Sequence, residues 1–241
     1  MFFVVIDFIF HYFYVKIKIY MPDIAENLRL IKLQLPPAVQ LVAVSKTKPV
    51  SDIEQAYNEG QRIFGENRVQ EILNKKDLLP ADIQWHLIGH LQTNKVKYVV
   101  PFISMIQSVD SIKLLLLVNS EAKKINRVID CLLQIHIASE ETKFGFSMCD
   151  LSESLHSEDV TYLKNVRICG VMGMASFTPD TGQVKKEFAY LRKCFRSLKD
   201  NYFNFSEDFR EISMGMSGDY ESAIEEGSTM VRIGSLIFGE R

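Results

Sequence analysis

The chain has 241 residues, of which 47% are hydrophobic and 24% charged. At ~150 residues per domain this allows one or two domains, and single α/β barrels commonly reach ~250 residues; a core of that size needs no disulfide or metal staple. Twenty-eight basic against 30 acidic residues leave a net charge of −2, which excludes a generally basic nucleic-acid binder. Cys131, Cys149, Cys169 and Cys194 are scattered with no C-x-x-C pair, so reduced thiols in a cytoplasmic protein are expected, not a zinc ribbon or a secreted disulfide framework.

Residues 1–20 read MFFVVIDFIFHYFYVKIKIY, with an aromatic density found nowhere else in the chain. Asp7 and His11 interrupt the apolar run, which is over by Lys16, so it falls short of a transmembrane helix of ~20 residues. The segment also lacks the basic region and small-residue cleavage site of a signal peptide. The expectation is that translation begins at Met21, that 1–20 is an upstream in-frame extension outside the native fold, and that the protein does not associate with a membrane; a membrane tether is the weaker alternative. From Met21 the pattern is an amphipathic helix, MPDIAENLRLIKLQL, with Pro22 and Asp23 as start signals and Ile24, Leu28, Ile31 and Leu35 on one face.

Beyond residue 40, short apolar runs alternate with helical patterns. The runs are Leu41–Ser45, Arg62–Phe64, Gln84–Ile88, Ile103–Ser108, Val128–Ala138, Val166–Ala175, Glu211–Met214 and Thr229–Gly234. The helical stretches include Ser51–Gly60, read with a capping box of Ser51 and Glu54 and a terminal Gly60, then Asn67–Leu78, Asn94–Val100, Ser111–Asn126, Gly182–Leu198 and Ser217–Glu226. Alternation of this kind implies parallel strands joined by crossover helices. Eight strands that are apolar throughout, in some 200 residues, predict one domain over 21–241, a closed (β/α)8 TIM-like barrel preceded by a helix.

In such a barrel, functional groups sit where strands end, and phosphate is often held after the seventh and eighth. The first strand ends LVAVSKTKP, which puts Lys46 at its carboxyl end in step with Val42 and Val44. A lysine desolvated there can offer a free amine to a carbonyl and form a Schiff base; taken alone, a solvated strand-end lysine is the commoner reading. Lys48, just before Pro49, is the rival amine and is expected to be more exposed. The seventh strand ends ISMGMSGDY, with Ser217 as a natural N-cap, and the eighth ends TMVRIGSLIFG, with Gly234 and Ser235 opening the last helix. Side by side, the two loops make an anion cradle of backbone N–H groups. An amine facing such a cradle suggests a phosphorylated carbonyl compound, either pyridoxal 5′-phosphate (PLP) or a sugar phosphate. Arg232, charged within an apolar strand, needs a partner. It forms either a structural ion pair with an acid such as Glu66 or a donor to a pyridine nitrogen, which it would keep unprotonated. His86 and His90 share the i,i+4 spacing of zinc ligands, but the spacing straddles a strand end and lacks a third ligand, so no metal is expected.

As a set, VAVSKTKP, FGENRVQE, WHLIGHLQTNK, GVMGMASFT, SMGMSGDYESAI and GSTMVRIGSLIFG, spread from about Val42 to Gly239, resemble the pyridoxal phosphate homeostasis protein family, which is similar in fold to the barrel domain of alanine racemase. The resemblance implies PLP held as an aldimine on Lys46, with Ser217, Gly234 and Ser235 on the phosphate, Arg232 near the ring nitrogen, and Asn67 and Met174 lining the pocket. It implies a cytoplasmic role in PLP homeostasis without robust turnover, with PLP-dependent apoenzymes as possible recipients and a monomeric state. Three departures stand out: His90 replaces a proline, Phe144 interrupts a K-x-G stretch at 143–145, and the interval before SKTKP is short. The alternative is a one-domain PLP-dependent amino-acid racemase. That reaction needs a second base besides Lys46, for which Tyr220 and His86 are the candidates, and the end of the chain at Arg241 leaves no second domain to supply one. A Schiff-base aldolase would leave Arg232 without a role.

Overall fold

In the computed structural model, which describes residues 23–140, 144–156 and 163–240, the eight apolar runs become eight parallel strands. They are β1 (Gln40–Val44), β2 (Ile63–Glu66), β3 (Gln84–Leu87), β4 (Met105–Val109), β5 (Ile129–Gln134), β6 (Val166–Met172), β7 (Glu211–Met216) and β8 (Met230–Ile233). Each pairs with the next, and β8 returns to β1 with Val42 opposite Arg232, closing the barrel as expected. The extension at 1–20, the proposed start at Met21 and position 143 of the K-x-G stretch lie outside the described residues. Among the described residues, no helix is long and apolar enough to cross a membrane.

Alternation along the strands sorts side chains into two layers. Val42, Met105, Leu132, Cys169, Met172 and Met230 face inward and form one cluster inside the barrel. Ala43, Phe64, Trp85, Ile106, Cys131 and Val231 face outward and pack under the helices. A second outer cluster gathers Phe188, Leu191 and Leu198 of the longest helix against Val171, Phe209 and Ile212. Burial on both faces is why the strands read as continuous apolar runs.

Asp23 accepts from the Glu26 amide at 3.0 Å and starts α1 (Ile24–Gln34), whose Ile24, Leu28 and Ile31 are buried. The short interval before β1 is closed by a turn, Val39 N–H to the Pro36 carbonyl at 2.9 Å. The next helix, α2 (Val50–Asn58), differs from expectation: Pro49 is its N-cap, and Ser51 lies inside the first turn, so the Ser51–Glu54 capping box does not form. The Asp52 amide already reaches the Pro49 carbonyl at 3.2 Å, so the helix starts too early for Ser51 to cap it. Gly60 does end the turn, with a φ of 79°.

Next come α3 (Val69–Lys75), α4 (Val96–Val99) and α5 (Ile112–Lys124), the last capped by Ser111. The sequence reading missed α6 (Met148–Leu155), capped by Ser147. α7 (Thr181–Asn201) is capped by Asp180, α8 (Tyr220–Glu225) has Asp219 as its N-cap, and α9 (Ser235–Phe238) follows Gly234. Strand β5 stops at Gln134, short of the expected Ala138, because Ile135 leaves the sheet to bridge Phe146.

Candidate functional site

The inward series Val42, Val44 of β1 ends on Lys46, which lines a cavity of about 390 Å³ at the carboxyl ends of the strands. Val44, Ile88 and Val184 give that cavity apolar walls. Asn67 comes from the loop after β2, Met174 from after β6, Ser217 from after β7, and Arg232, Gly234 and Ser235 from β8 and its loop. Closure of the barrel thus brings all seven residues singled out from sequence to one cavity.

Ser217 has a different local role from the expected one. It does not cap α8, since Asp219 occupies that position. Asp219 Oδ1 accepts from the Met216 amide at 2.5 Å, which turns the loop. Ser217 Oγ instead accepts from the Gly234 amide at 3.2 Å. The hydroxyl and the amide therefore meet across the gap between β7 and β8, beside the start of α9. That hydroxyl, that amide and a helix start within one gap are suited to an anion.

Arg232 is 3% exposed, and burial lowers its pKa to about 10 while Asp219 opposes the shift. It stays protonated at neutral pH. It makes no ion pair with Glu66, which instead pairs with Lys75 at 2.8 Å. Its Nη1 donates to Ser213 Oγ at 2.6 Å and its Nη2 to the Gly173 carbonyl at 2.9 Å. Ser213 Oγ then donates to Gln107 Oε1 at 2.7 Å, and Gln107 Nε2 lies 3.0 Å from His86 Nδ1. This row of buried polar groups crosses the barrel interior and fixes the guanidinium from behind. Because Gln107 Nε2 can only donate, His86 Nδ1 is the acceptor and the ring is neutral, in keeping with burial that lowers its pKa to about 4.

His86 and His90 do not share a site. His86 is buried in the barrel, while His90 pairs with Asp110 at 2.7 Å and stacks on Phe144 with ring centroids 4.1 Å apart. The two residues expected to depart from the family pattern, His90 and Phe144, thus stack on each other. Among the described residues no cluster of three or more metal-type side chains forms. Lys48 is not left in solvent: its Nζ donates to the carbonyls of Phe238 at 2.7 Å and Glu240 at 3.1 Å, tying the β1 loop to the last helix. Neither candidate second base reaches the cavity. The Tyr220 hydroxyl donates to Gln34 of α1 at 2.7 Å, and His86 faces Gln107.

The sequence reading did not find Asp219 and Ser176 on the cavity wall. Asp219 follows a glycine in a loop, where an aspartate reads as turn chemistry. Ser176 is placed by Glu187 of α7, whose carboxylate accepts from its amide at 2.6 Å and its hydroxyl at 2.8 Å. That is a contact between elements and has no local signal.

The fold and its mouth define a (β/α)8 barrel of the alanine racemase type, and the sequence profile of the alanine racemase N-terminal domain matches residues 19–241. The pyridoxal phosphate homeostasis protein of Synechocystis sp. is 40% identical over 209 residues, covering 86% of this chain and 94% of that one. The protein of the same name from Homo sapiens is 41% identical over 218 residues, covering 85% and 78%. The structure of PipY from Synechococcus elongatus with PLP bound superimposes with a TM-score of 0.82 at 37% identity, over 90% of this chain and 100% of PipY. Alanine racemase from Clostridium difficile, at 16% identity and a TM-score of 0.72, shares the fold over 91% of this chain and 60% of its own. The chain belongs to the pyridoxal phosphate homeostasis protein family.

Proposed function

We propose that this protein binds PLP at the barrel mouth, through a Schiff base on Lys46, and serves PLP homeostasis in the cytoplasm without robust turnover. The observation that carries the reading is the convergence of Lys46, Arg232, Ser217, Gly234 and Ser235 on one cavity. The donor set fits the cofactor: an amine for its aldehyde, a hydroxyl and amides for its phosphate, and a fixed guanidinium for its ring nitrogen. Bound there, PLP supplies an electrophilic carbonyl and a ring able to withdraw electrons. Arg232, protonated and oriented by Ser213 and Gly173, would leave the ring nitrogen without a proton and weaken that withdrawal. Asn67 and Met174 complete the walls. We assign the PLP-binding unit to residues 21–241, with 1–20 outside it, and infer a monomer that hands PLP to dependent apoenzymes.

The alternative, a one-domain amino-acid racemase, requires a second proton-transferring group opposite Lys46. The positions of Tyr220 and His86 outside the cavity favour the homeostasis reading. Two measurements test it. The absorption spectrum of the purified protein should show a Schiff-base band that borohydride bleaches and Lys46→Ala abolishes; a band that persists in the variant assigns the linkage to another lysine. Racemisation assayed across amino acids should stay far below ordinary turnover of ~1–10³ s⁻¹. A Lys46-dependent rate in that range would establish the enzyme instead.

A further inference from the structure

Lys46 is presented by a turn that its own sequence disfavours. The Lys48 amide donates to the Ser45 carbonyl at 3.1 Å, and Thr47 has a φ of 65° while Lys46 stays out of the left-handed region. That is the pattern of a type II turn, whose third residue favours glycine. Threonine, branched at Cβ, is costly there, and such conformations persist only where the surroundings over-determine them.

One ionic cluster provides those surroundings. Glu71 Oε2, on α3, accepts the Thr47 N–H at 2.7 Å. Lys75, one turn further along α3, lies 3.7 Å from that same oxygen. Its Nζ also donates to Glu66 Oε1 at 2.8 Å and to the Ser45 carbonyl at 3.0 Å. Ser45 Oγ closes the cluster by donating to Glu66 Oε1 at 2.7 Å. The residues on both sides of Lys46 are thus bonded to the same charges. Glu66, Glu71 and Lys75 line no part of the cavity; their hydrogen bonds meet the backbone and side chains of the turn that carries Lys46.

We infer that Glu71, braced by Lys75, is a positioning residue for Lys46: its carboxylate holds Thr47 in the left-handed conformation and so fixes the turn that presents the amine to the mouth. The inference rests on the proposed role of Lys46 in PLP binding for its functional consequence. Its structural half stands on the turn alone.

The test compares wild type with Glu71→Ala, Thr47→Gly and the double variant. PLP affinity is read from the Schiff-base band, and hydrogen exchange of the Lys48 amide, which closes the turn, is read in the cofactor-free protein. Glu71→Ala should weaken PLP binding about tenfold and speed Lys48 exchange about tenfold, as expected for loss of one charge-assisted hydrogen bond. Thr47→Gly alone should leave both within about threefold, because glycine takes this turn without help. Added to Glu71→Ala, it should restore both. If Glu71→Ala leaves both quantities at wild-type values, or the double variant stays as impaired as Glu71→Ala, the inference is overturned. A merely structural Glu71 predicts the latter result. If Glu71→Ala does not fold, Glu71→Gln, which keeps a weaker acceptor, carries the same comparison. A wild type that shows no PLP band sinks the proposed function, while Lys48 exchange still decides whether Glu71 holds the turn.

Discussion

At the scale of single residues, Ser217 and His86 carry opposite kinds of information. Among the described residues Ser217 Oγ bonds only to the Gly234 amide, so removing it leaves one donor that water can solvate at the open mouth. Ser217→Ala should therefore leave the fold intact and weaken PLP retention by ~1–3 kcal/mol, the loss of one hydrogen bond to a charged group. Equilibrium titration of cofactor-free protein checks this, and unchanged affinity removes Ser217 from the phosphate site. His86, by contrast, concerns stability. Its pKa falls from 6.5 to about 4 because burial penalises the imidazolium. Below pH 6.5 the unfolded chain takes up a proton that the folded chain refuses until about pH 4, so stability is full above 6.5 and is lost on acidification toward 4. The loss reaches roughly 3 kcal/mol. Burial raises the pKa of Glu66, which works in the opposite direction near its ordinary range. A comparison with His86→Gln, which keeps an acceptor for Gln107, isolates the histidine. Denaturant midpoints from pH 7 to 4 should fall less steeply in the variant, and equal slopes would refute the assignment.

At the scale of elements, caps and close approaches decide where strands and helices begin and how they register. Asp180, Ser111 and Ser147 each accept from an amide in the first turn of their helix, while Ser51 does not because Pro49 opens α2 ahead of it. The register of β5 on β6 shifts between Cys131 and Leu132, and opposite the shift Gly170 has a φ of 151°. A Cβ at Gly170 would lie 1.9 Å from the Glu211 carbonyl oxygen of β7. Backbone cannot yield there without breaking the β6–β7 ladder, where Gly170 pairs with Glu211. Gly170→Ala should cost more than ~3 kcal/mol, combining a strained backbone with lost strand pairing. Thermal unfolding checks it, and a variant that melts within a few degrees of wild type would show that the sheet can absorb the methyl group.

At the scale of the whole molecule, the barrel converts sequence neighbours at strand ends into spatial neighbours around one mouth. Lys46 and Arg232 are 186 positions apart, yet β1 pairs directly with β8. The sequence alone determined the fold class, because strands covered on both faces must be apolar throughout and their spacing leaves room only for crossover helices. It also marked Lys46, Arg232, Ser217, Gly234 and Ser235, since a charge in an apolar strand and glycine–serine loops at strand ends are local signals. Tertiary structure decided what those side chains touch. Glu66 turned from Arg232 to Lys75, Ser217 from its helix to Gly234, and Tyr220 from the mouth to Gln34. The Ser213–Gln107–His86 row joins three strands, and Glu71 and Lys75 of α3 join that helix to the turn after β1 and to β2. Each of those residues reads locally as an ordinary polar position, because a hydrogen bond between elements leaves no periodicity in either one. It exists only once closure of the barrel sets their distance.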